Sequence, residues 1–141
     1  MLHHYTGTEY RPTVLETASY QIGPTSHLAA PAICYHLYIE ADGTIYLCHD
    51  LEVVTWNAGS GSPGAKLGIG LNNWWGVAIC FAGLVPTPAQ LMAMALAGDW
   101  IDWKLGRKLQ RRAHRQVSVD ATGRRLTQCC GDVAEAWVMA S

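Results

Sequence analysis

Three residues, far apart in the chain, have the chemistry of metal ligands. His4 lies in L-H-H-Y-T-G-T, His114 in A-H-R-Q-V-S and Cys129 in T-Q-C-C-G-D. Two imidazoles and a thiolate suit zinc, and three protein donors leave a fourth position open, as in catalytic rather than structural centres. Convergence of the three would make the chain a zinc hydrolase. Singly, each has a plainer reading: His4 as a hydrogen-bonded core histidine, His114 as a surface residue in a basic stretch, Cys129 as a buried thiol or half of a redox pair with Cys130. His3 adjoins His4 on an expected strand, so the two side chains face opposite ways. His27 and His49 read as polar surface residues. Of Tyr35 and His36, only one can face a site.

The elements that must carry these residues alternate between strand and helix. Residues 1–5 read as a short strand. Residues 12–21 read as a helix with Pro12 early, stopped by Gly23-Pro24. A loop rich in Gly, Pro, Ser and Ala follows over 23–32. The run I-C-Y-H-L-Y-I-E, then A-D-G-T, then I-Y-L-C predicts a hairpin around Asp42-Gly43. Residues 57–73 are glycine-rich and read as a long exposed loop, a kind of segment that often carries function. V-A-I-C-F-A is a continuous apolar run, expected as a fully buried strand. Thr87-Pro88 gives an N-cap and a first-turn proline. The helix from there to about Gly106 is expected to bury Leu91, Met94, Ala95, Gly98, Ile101 and Leu105. A last helix from near Asp132 is expected to bury Val133, Trp137 and Val138. The fold class is therefore α/β: one domain over 1–141, a central mixed sheet and about three helices.

The 141 residues suffice for one domain with a core and not for two comfortable ones. Half the residues are hydrophobic and 15% are charged, which excludes a disordered chain. Charge is unevenly spread: residues 1–103 carry Arg11 and Lys66 against eight acids, and residues 104–141 carry eight basic residues against three acids. The basic segment 104–125 reads as a solvated helix end, or as a contact for an anionic wall polymer or a protein partner; nucleic acid is not the expected partner. Five cysteines at irregular spacing make a poor disulfide framework. Cys34, Cys48 and Cys80 sit in apolar stretches and read as small buried hydrophobes. Neither a signal peptide nor a membrane-spanning run is expected.

Six short motifs occur in order: H-Y-T-G-T, Y-H-L-Y-I-E-A-D-G-T-I-Y, W-N-A-G, N-N-W-W-G-V-A-I-C-F-A-G, H-R-Q-V-S and C-C-G-D. Together they resemble the type 2 family of zinc N-acetylmuramoyl-L-alanine amidases, which includes bacteriophage lysozyme-type amidases and peptidoglycan recognition proteins. The resemblance runs from residue 2 to about residue 137. It implies zinc on His4, His114 and Cys129, with Tyr35 as the catalytic tyrosine beside the metal. Thr127 falls where phage enzymes carry lysine and many recognition-protein amidases carry threonine. Cys80 stands where a related cytosolic subgroup places a catalytic glutamate, so the chain looks like the tyrosine-using branch. Asn57 replaces a frequent histidine of W-H-A-G, Cys130 the proline of C-P-G-D, and Gln116 a common aspartate after H-R.

The activity so implied is hydrolysis of the amide between the lactyl group of N-acetylmuramic acid and L-alanine in peptidoglycan. Substrate would lie in a groove with Trp56, Asn57 and Asn73 in its walls. Amide hydrolysis needs an activated water, a polarised carbonyl and stabilisation of an oxyanion; zinc suits the first two. Tyr35 can hydrogen-bond the attacking water or the oxyanion. Thr127 can only position and donate. No carboxylate in the motifs takes the part of general base. The expected setting is a phage or prophage endolysin, made in the cytoplasm and acting on the wall after release. A peptidoglycan-binding module without activity and a polymerase-inhibitor-like interaction role are the rival classes.

Overall fold

The computed structural model describes residues 1–23, 26, 29–57, 76–120 and 122–141. His27, Asn73, Trp74, Trp75 and most of the glycine-rich segment lie outside the described residues. Among the described residues, five strands form one mixed sheet: β1 Leu2–Tyr5, β2 Leu37–Ile39, β3 Ile45–Leu47, β4 Ala78–Phe81 and β5 Arg112–Ala113. The spatial order is β3-β2-β4-β1-β5, parallel throughout except for the antiparallel β2–β3 hairpin. Among the described residues there are four helices: α1 Val14–Gln21, α2 Pro88–Leu105, α3 His114–Val117 and α4 Gly131–Ala140. The sequence predicts about three; the extra one is α3, a single turn too short to give a periodic signal.

Two rows of side chains run across the sheet. His4, Cys80 and Tyr38 are register partners on one face. That face is roofed by α1, whose Thr17 hydroxyl donates to the Tyr38 hydroxyl at 2.8 Å while Tyr38 donates to the Pro12 carbonyl. His3, Ile79 and Leu37 hold the opposite face. There the main core gathers Ile39, Phe81, Met94, Ala97, Ile101, Ala134 and Val138 beneath α2 and α4. β4 is buried along its whole length, as its unbroken apolar run predicts.

Several boundaries differ from the sequence expectation for identifiable reasons. α1 begins at Val14 because Thr13 is the N-cap, in a reciprocal capping box with Glu16. β2 begins at Leu37, not at Ile33. The Ala78 N–H is taken by His36 Nδ1 at 3.0 Å, so a side chain replaces a ladder bond there. His36 Nε2 then donates to Val53 O at 2.8 Å, which fixes the tautomer. His49 is partly buried and bonded to Ile33 O at 2.7 Å, rather than a free surface residue. Cys34 and Cys80 are buried, but Cys48 only partly so, and all five cysteines are free.

α2 has its expected start and stop: a Thr87–Gln90 capping box, Pro88 in the first turn and Gly106 at φ +64. Its buried line is Gln90, Ala93, Met94, Ala97, Gly98 and Ile101, so Leu91, Ala95 and Leu105 sit at the margins of the stripe. On α4, Ala134 and Val138 are buried, Trp137 is partly buried, and Val133 is 50% exposed. The apolar face of α4 is thus the i, i+4 pair one residue beyond Val133.

Gln90 is the polar hub that joins α2 to the sheet. Its Nε2 donates to Ala82 O at 2.9 Å and Ile39 O at 3.3 Å, and its Oε1 accepts from Thr87 N and Arg11 Nη1. Gln90→Leu is expected to destabilise the fold by about 2–3 kcal/mol, because buried groups lose partners that Leu cannot replace. Urea unfolding with an unchanged midpoint would contradict this.

His3 gives a second prediction. It is fully buried, edge-on to Trp137 at 6.0 Å, and neither ring nitrogen has a hydrogen-bond partner among the described residues. Burial, aided by the N-terminal ammonium and Arg111, lowers its pKa from 6.5 to about 3. Above pH 6.5 both folded and unfolded chains hold it neutral; between 6.5 and 3 only the unfolded chain takes the proton, so stability falls with pH. His3→Leu removes that slope. The stability difference between variant and parent, with chelator present, should grow in favour of Leu from about pH 7 to about pH 4.5; a constant difference would refute it.

Candidate metal centre

His4, His114 and Cys129 converge. One ligand atom from each lies within 4.8 Å of the others, and no carboxylate joins the group among the described residues. His4 stands near the C-terminal end of β1, and His114 opens α3 directly after β5, its neighbour in the sheet. The chain leaves β1 towards α1 on one face and leaves β4 towards α2 on the other. The crevice at such a reversal, beyond the C-terminal ends of parallel strands, is where α/β sheets place ligands.

Backbone bonds bring the third donor in. Arg115 N donates to Cys129 O at 2.6 Å, and Leu126 N to Ser118 O at 2.8 Å, so the Cys129 loop lies along α3. Tyr5 N points at Cys129 Sγ, 3.4 Å away. Gln116 Oε1 accepts from Ala113 N at 2.8 Å and closes the turn that carries His114. This is the work its side chain does in place of the aspartate expected from the resemblance. The Arg115 guanidinium ties α3 to Asp132 and Glu135 of α4.

The donor set fits zinc. His4 Nδ1 lies 3.7 Å from Cys129 Sγ. Tetrahedral zinc, with sulfur at roughly 2.3 Å and nitrogen at roughly 2.0–2.1 Å, separates two such donors by about 3.5 Å. The rings of His4 and His114 are 4.5 Å apart. Burial drives His4 well below its ordinary pKa, so the imidazole is neutral, the form that ligates. Burial likewise pushes the Cys129 thiol far above its ordinary value, and a cation is what would draw off its proton. Cys130 is fully buried in the main core, outside the donor group, with its thiol raised to about 12 by burial.

Tyr35 reaches the site: its ring lies 5.3 Å from that of His4. Burial raises its pKa well above 10, and the Cys80, Cys129 and Cys34 thiols add to this, so the hydroxyl keeps its proton. Thr127 is partly buried and accepts from Cys129 N at 3.2 Å. Cys80, the register partner of His4, is fully buried, and burial keeps its thiol protonated. Trp56 is 50% exposed, whereas Asn57 is 5% exposed with its amide donating to Thr55. The sequence reading overlooked the neighbourhood of the ligands: Tyr5, Arg115 and Gln128 line a cavity of about 320 Å³ with Leu84, Val85, Gly131, Asp132 and Val133. The basic segment is partly neutralised, since Arg111 pairs with Asp99 and Asp102, and Arg125 with Glu135.

No helix among the described residues is long and apolar enough to cross a membrane. The fold recurs in solved structures of low identity. The endolysin N-acetylmuramoyl-L-alanine amidase LysCS from Clostridium intestinale matches with a TM-score of 0.67 at 22% identity, covering 93% of this chain and 73% of that one. Drosophila peptidoglycan recognition protein SD matches at 0.73 and 17%, covering 99% and 78%. Peptidoglycan recognition protein LE, solved with tracheal cytotoxin, a monomeric diaminopimelic acid-type peptidoglycan, matches at 0.71 and 17%, covering 100% and 78%. Among curated protein sequences, none matches this chain. The sequence profile of the N-acetylmuramoyl-L-alanine amidases matches residues 1–132, and with that span, this fold and the donor cluster at the strand ends, the chain belongs to the N-acetylmuramoyl-L-alanine amidase family.

Proposed function

We propose that the chain is one catalytic domain, a zinc-dependent amidase that hydrolyses the lactyl–L-alanine amide of peptidoglycan. The observation that carries the reading is the convergence of His4, His114 and Cys129, three zinc-type donors and no further one among the described residues, in a chain of this family. Zinc held there would supply a Lewis acid for the scissile carbonyl and would acidify a water. Tyr35, protonated and beside His4, donates a hydrogen bond to the oxyanion as the carbonyl carbon becomes tetrahedral. Thr127 accepts the Cys129 N–H and keeps its own proton to donate, so it orients the ligand loop and the substrate. The exposed ring of Trp56 offers an apolar wall to the muramyl peptide, with Asn73 proposed beside it. Muramyl-peptide binding is supported by the complex of peptidoglycan recognition protein LE with tracheal cytotoxin. An endolysin role, with synthesis in the cytoplasm and action on the wall, is supported by the likeness to LysCS.

Purified protein is expected to carry one zinc per chain, lost in His4→Ala and Cys129→Ala but kept in Cys130→Ala, as read by elemental mass spectrometry. On muramyl peptides it should release L-alanine amino termini without new reducing ends. Chelation should abolish this and zinc restore it. Reducing ends would mean a glycosidase, and binding without release a recognition module.

Tyr35→Phe should keep zinc and lower turnover by roughly two to three orders of magnitude, the usual effect of losing one oxyanion donor. Thr127→Ala should lower it less. Turnover of Tyr35→Phe equal to wild type, with zinc bound, would make Tyr35 a wall residue only.

A further inference from the structure

We infer that the outer face of α2 is a self-association surface, through which two copies of the chain pair helix to helix in an antiparallel, twofold-symmetric dimer. The inference stands apart from the zinc reading.

α2 is apolar on more than the side the core needs. Its inner line, with Ala93, Met94, Ala97 and Ile101, is buried. Yet Met92, Leu96 and Trp103 on the outer side are 69%, 64% and 76% exposed, and Trp103 is the most exposed large apolar side chain among the described residues. A helix that is apolar all round is ordinarily covered all round. With Asp99, these residues fall at i, i+4, i+7 and i+11, within about 60° of one another around the axis. Alternating steps of four and three form the seam of a two-helix coiled coil. Asp99 is the one charge in that seam, and Arg111 of the same chain neutralises it at 3.1 Å. A continuous apolar strip that ends in an exposed tryptophan has the make-up of an interface.

The two ends of the strip carry opposite charge, and this selects a second copy as the occupant. At the C-terminal end Lys104, Arg107 and Lys108 are exposed, and none of them joins an ion pair among the described residues. At the N-terminal end the Asp42 turn is fastened to the helix. The Thr87 hydroxyl donates to Ala41 O at 2.9 Å, and a Cβ added at Gly43 would lie 3.0 Å from Ala89 O. Asp42 itself is exposed and unpaired by any cation there. A strip that is apolar in the middle, basic at one end and acidic at the other is complementary to itself when one copy is turned end for end. In a twofold contact each residue meets its counterpart twice. Trp103 of each copy then lies on Met92 of the other, a favourable sulfur–aromatic contact, and the two Leu96 side chains meet beside the axis. Arg107 of each copy faces the Asp42 turn of the other. α2 covers the sheet face opposite to that of His4, so pairing leaves both donor groups uncovered.

One helix pair is small beside the roughly 1,600 Å² of a standard interface, so dissociation in the micromolar range is expected. Sedimentation equilibrium of the full chain, from about 1 μM to about 1 mM to bracket a weak interface, should show monomer passing to dimer. Leu96→Glu and Trp103→Glu should each weaken the dimer by roughly 30-fold or more, the effect of losing a central anchor. Both side chains are exposed, so the melting temperature at the dilute end should match wild type. Asp42→Lys and Arg107→Glu should each weaken the dimer, and the two together should restore it, because the swapped charges again meet in the antiparallel pair. Monomer throughout the range would overturn the inference and leave the face to a different partner. A dimer indifferent to both Leu96→Glu and Trp103→Glu, or a double charge variant no better than either single one, would overturn it as well. Open-ended assemblies larger than a dimer would mean an unsymmetrical contact and would equally overturn it. A chain that dimerises but binds no zinc would bring down the zinc reading alone.

Discussion

The site depends on the burial of β1. The strand is paired on both edges, by β4 and β5, and covered on both faces. Its adjacent histidines are therefore both desolvated, at 0% and 2% exposure, and both neutral. Strand alternation then divides their tasks. His3 goes to the core side against Trp137, and His4 goes to the side that holds Cys80, Tyr38 and the ring of Tyr35. A one-residue slip of β1 would exchange them and dismantle the donor group. The parallel pairing with fully buried β4 is what forbids the slip.

The other two donors come from irregular backbone, which needs fastening. α3 has only four residues, too few for an independent helix. It persists because Gln116 closes its first turn, Arg115 N holds Cys129 O, and the Arg115 guanidinium reaches two carboxylates of α4. The C-terminal excess of basic residues is partly explained by this fastening. Arg111 and Arg115, buried, and Arg125, at the surface, pair with acids of α2 and α4, which leaves a weaker outward field than the bare sequence count suggests.

Legibility in the sequence followed the length of the signal. The Thr87 cap and first-turn Pro88 of α2, the Asp42-Gly43 hairpin and the apolar run of β4 are local patterns, and the structure has each of them. The helix α3 and the start of β2 are set by tertiary bonds, from Cys129 O and from the His36 ring, and no local pattern encodes these. The burial error at Val133 has the same origin, since only the position of α4 over β1 and β5 decides which of its apolar residues turns inward. The ligand types were readable as chemistry and their contexts as a resemblance, but their meeting was not. Asn57 shows the limit most clearly. In sequence it adjoins an exposed tryptophan and reads as a surface contact, while its burial and its amide bonds to Thr55 direct it inwards.

The chemistry of the pocket is one-sided, and this shapes the proposed reaction. Tyr35 and Cys80 are both held protonated by burial, and Thr127 is a hydroxyl. The nearest acids of α4, Asp132 and Glu135, are tied to Arg115. Among the described residues, the surroundings of the donor group therefore offer hydrogen bonds to developing negative charge and no carboxylate base to begin the attack. Zinc held by two neutral imidazoles and one thiolate would keep a single net positive charge. Among the described residues, no carboxylate of the donor group would offset that charge. With zinc bound, a pocket of donors around one uncompensated charge would favour the oxyanion over the ground-state amide, and differential stabilisation of that kind is what accelerates a reaction.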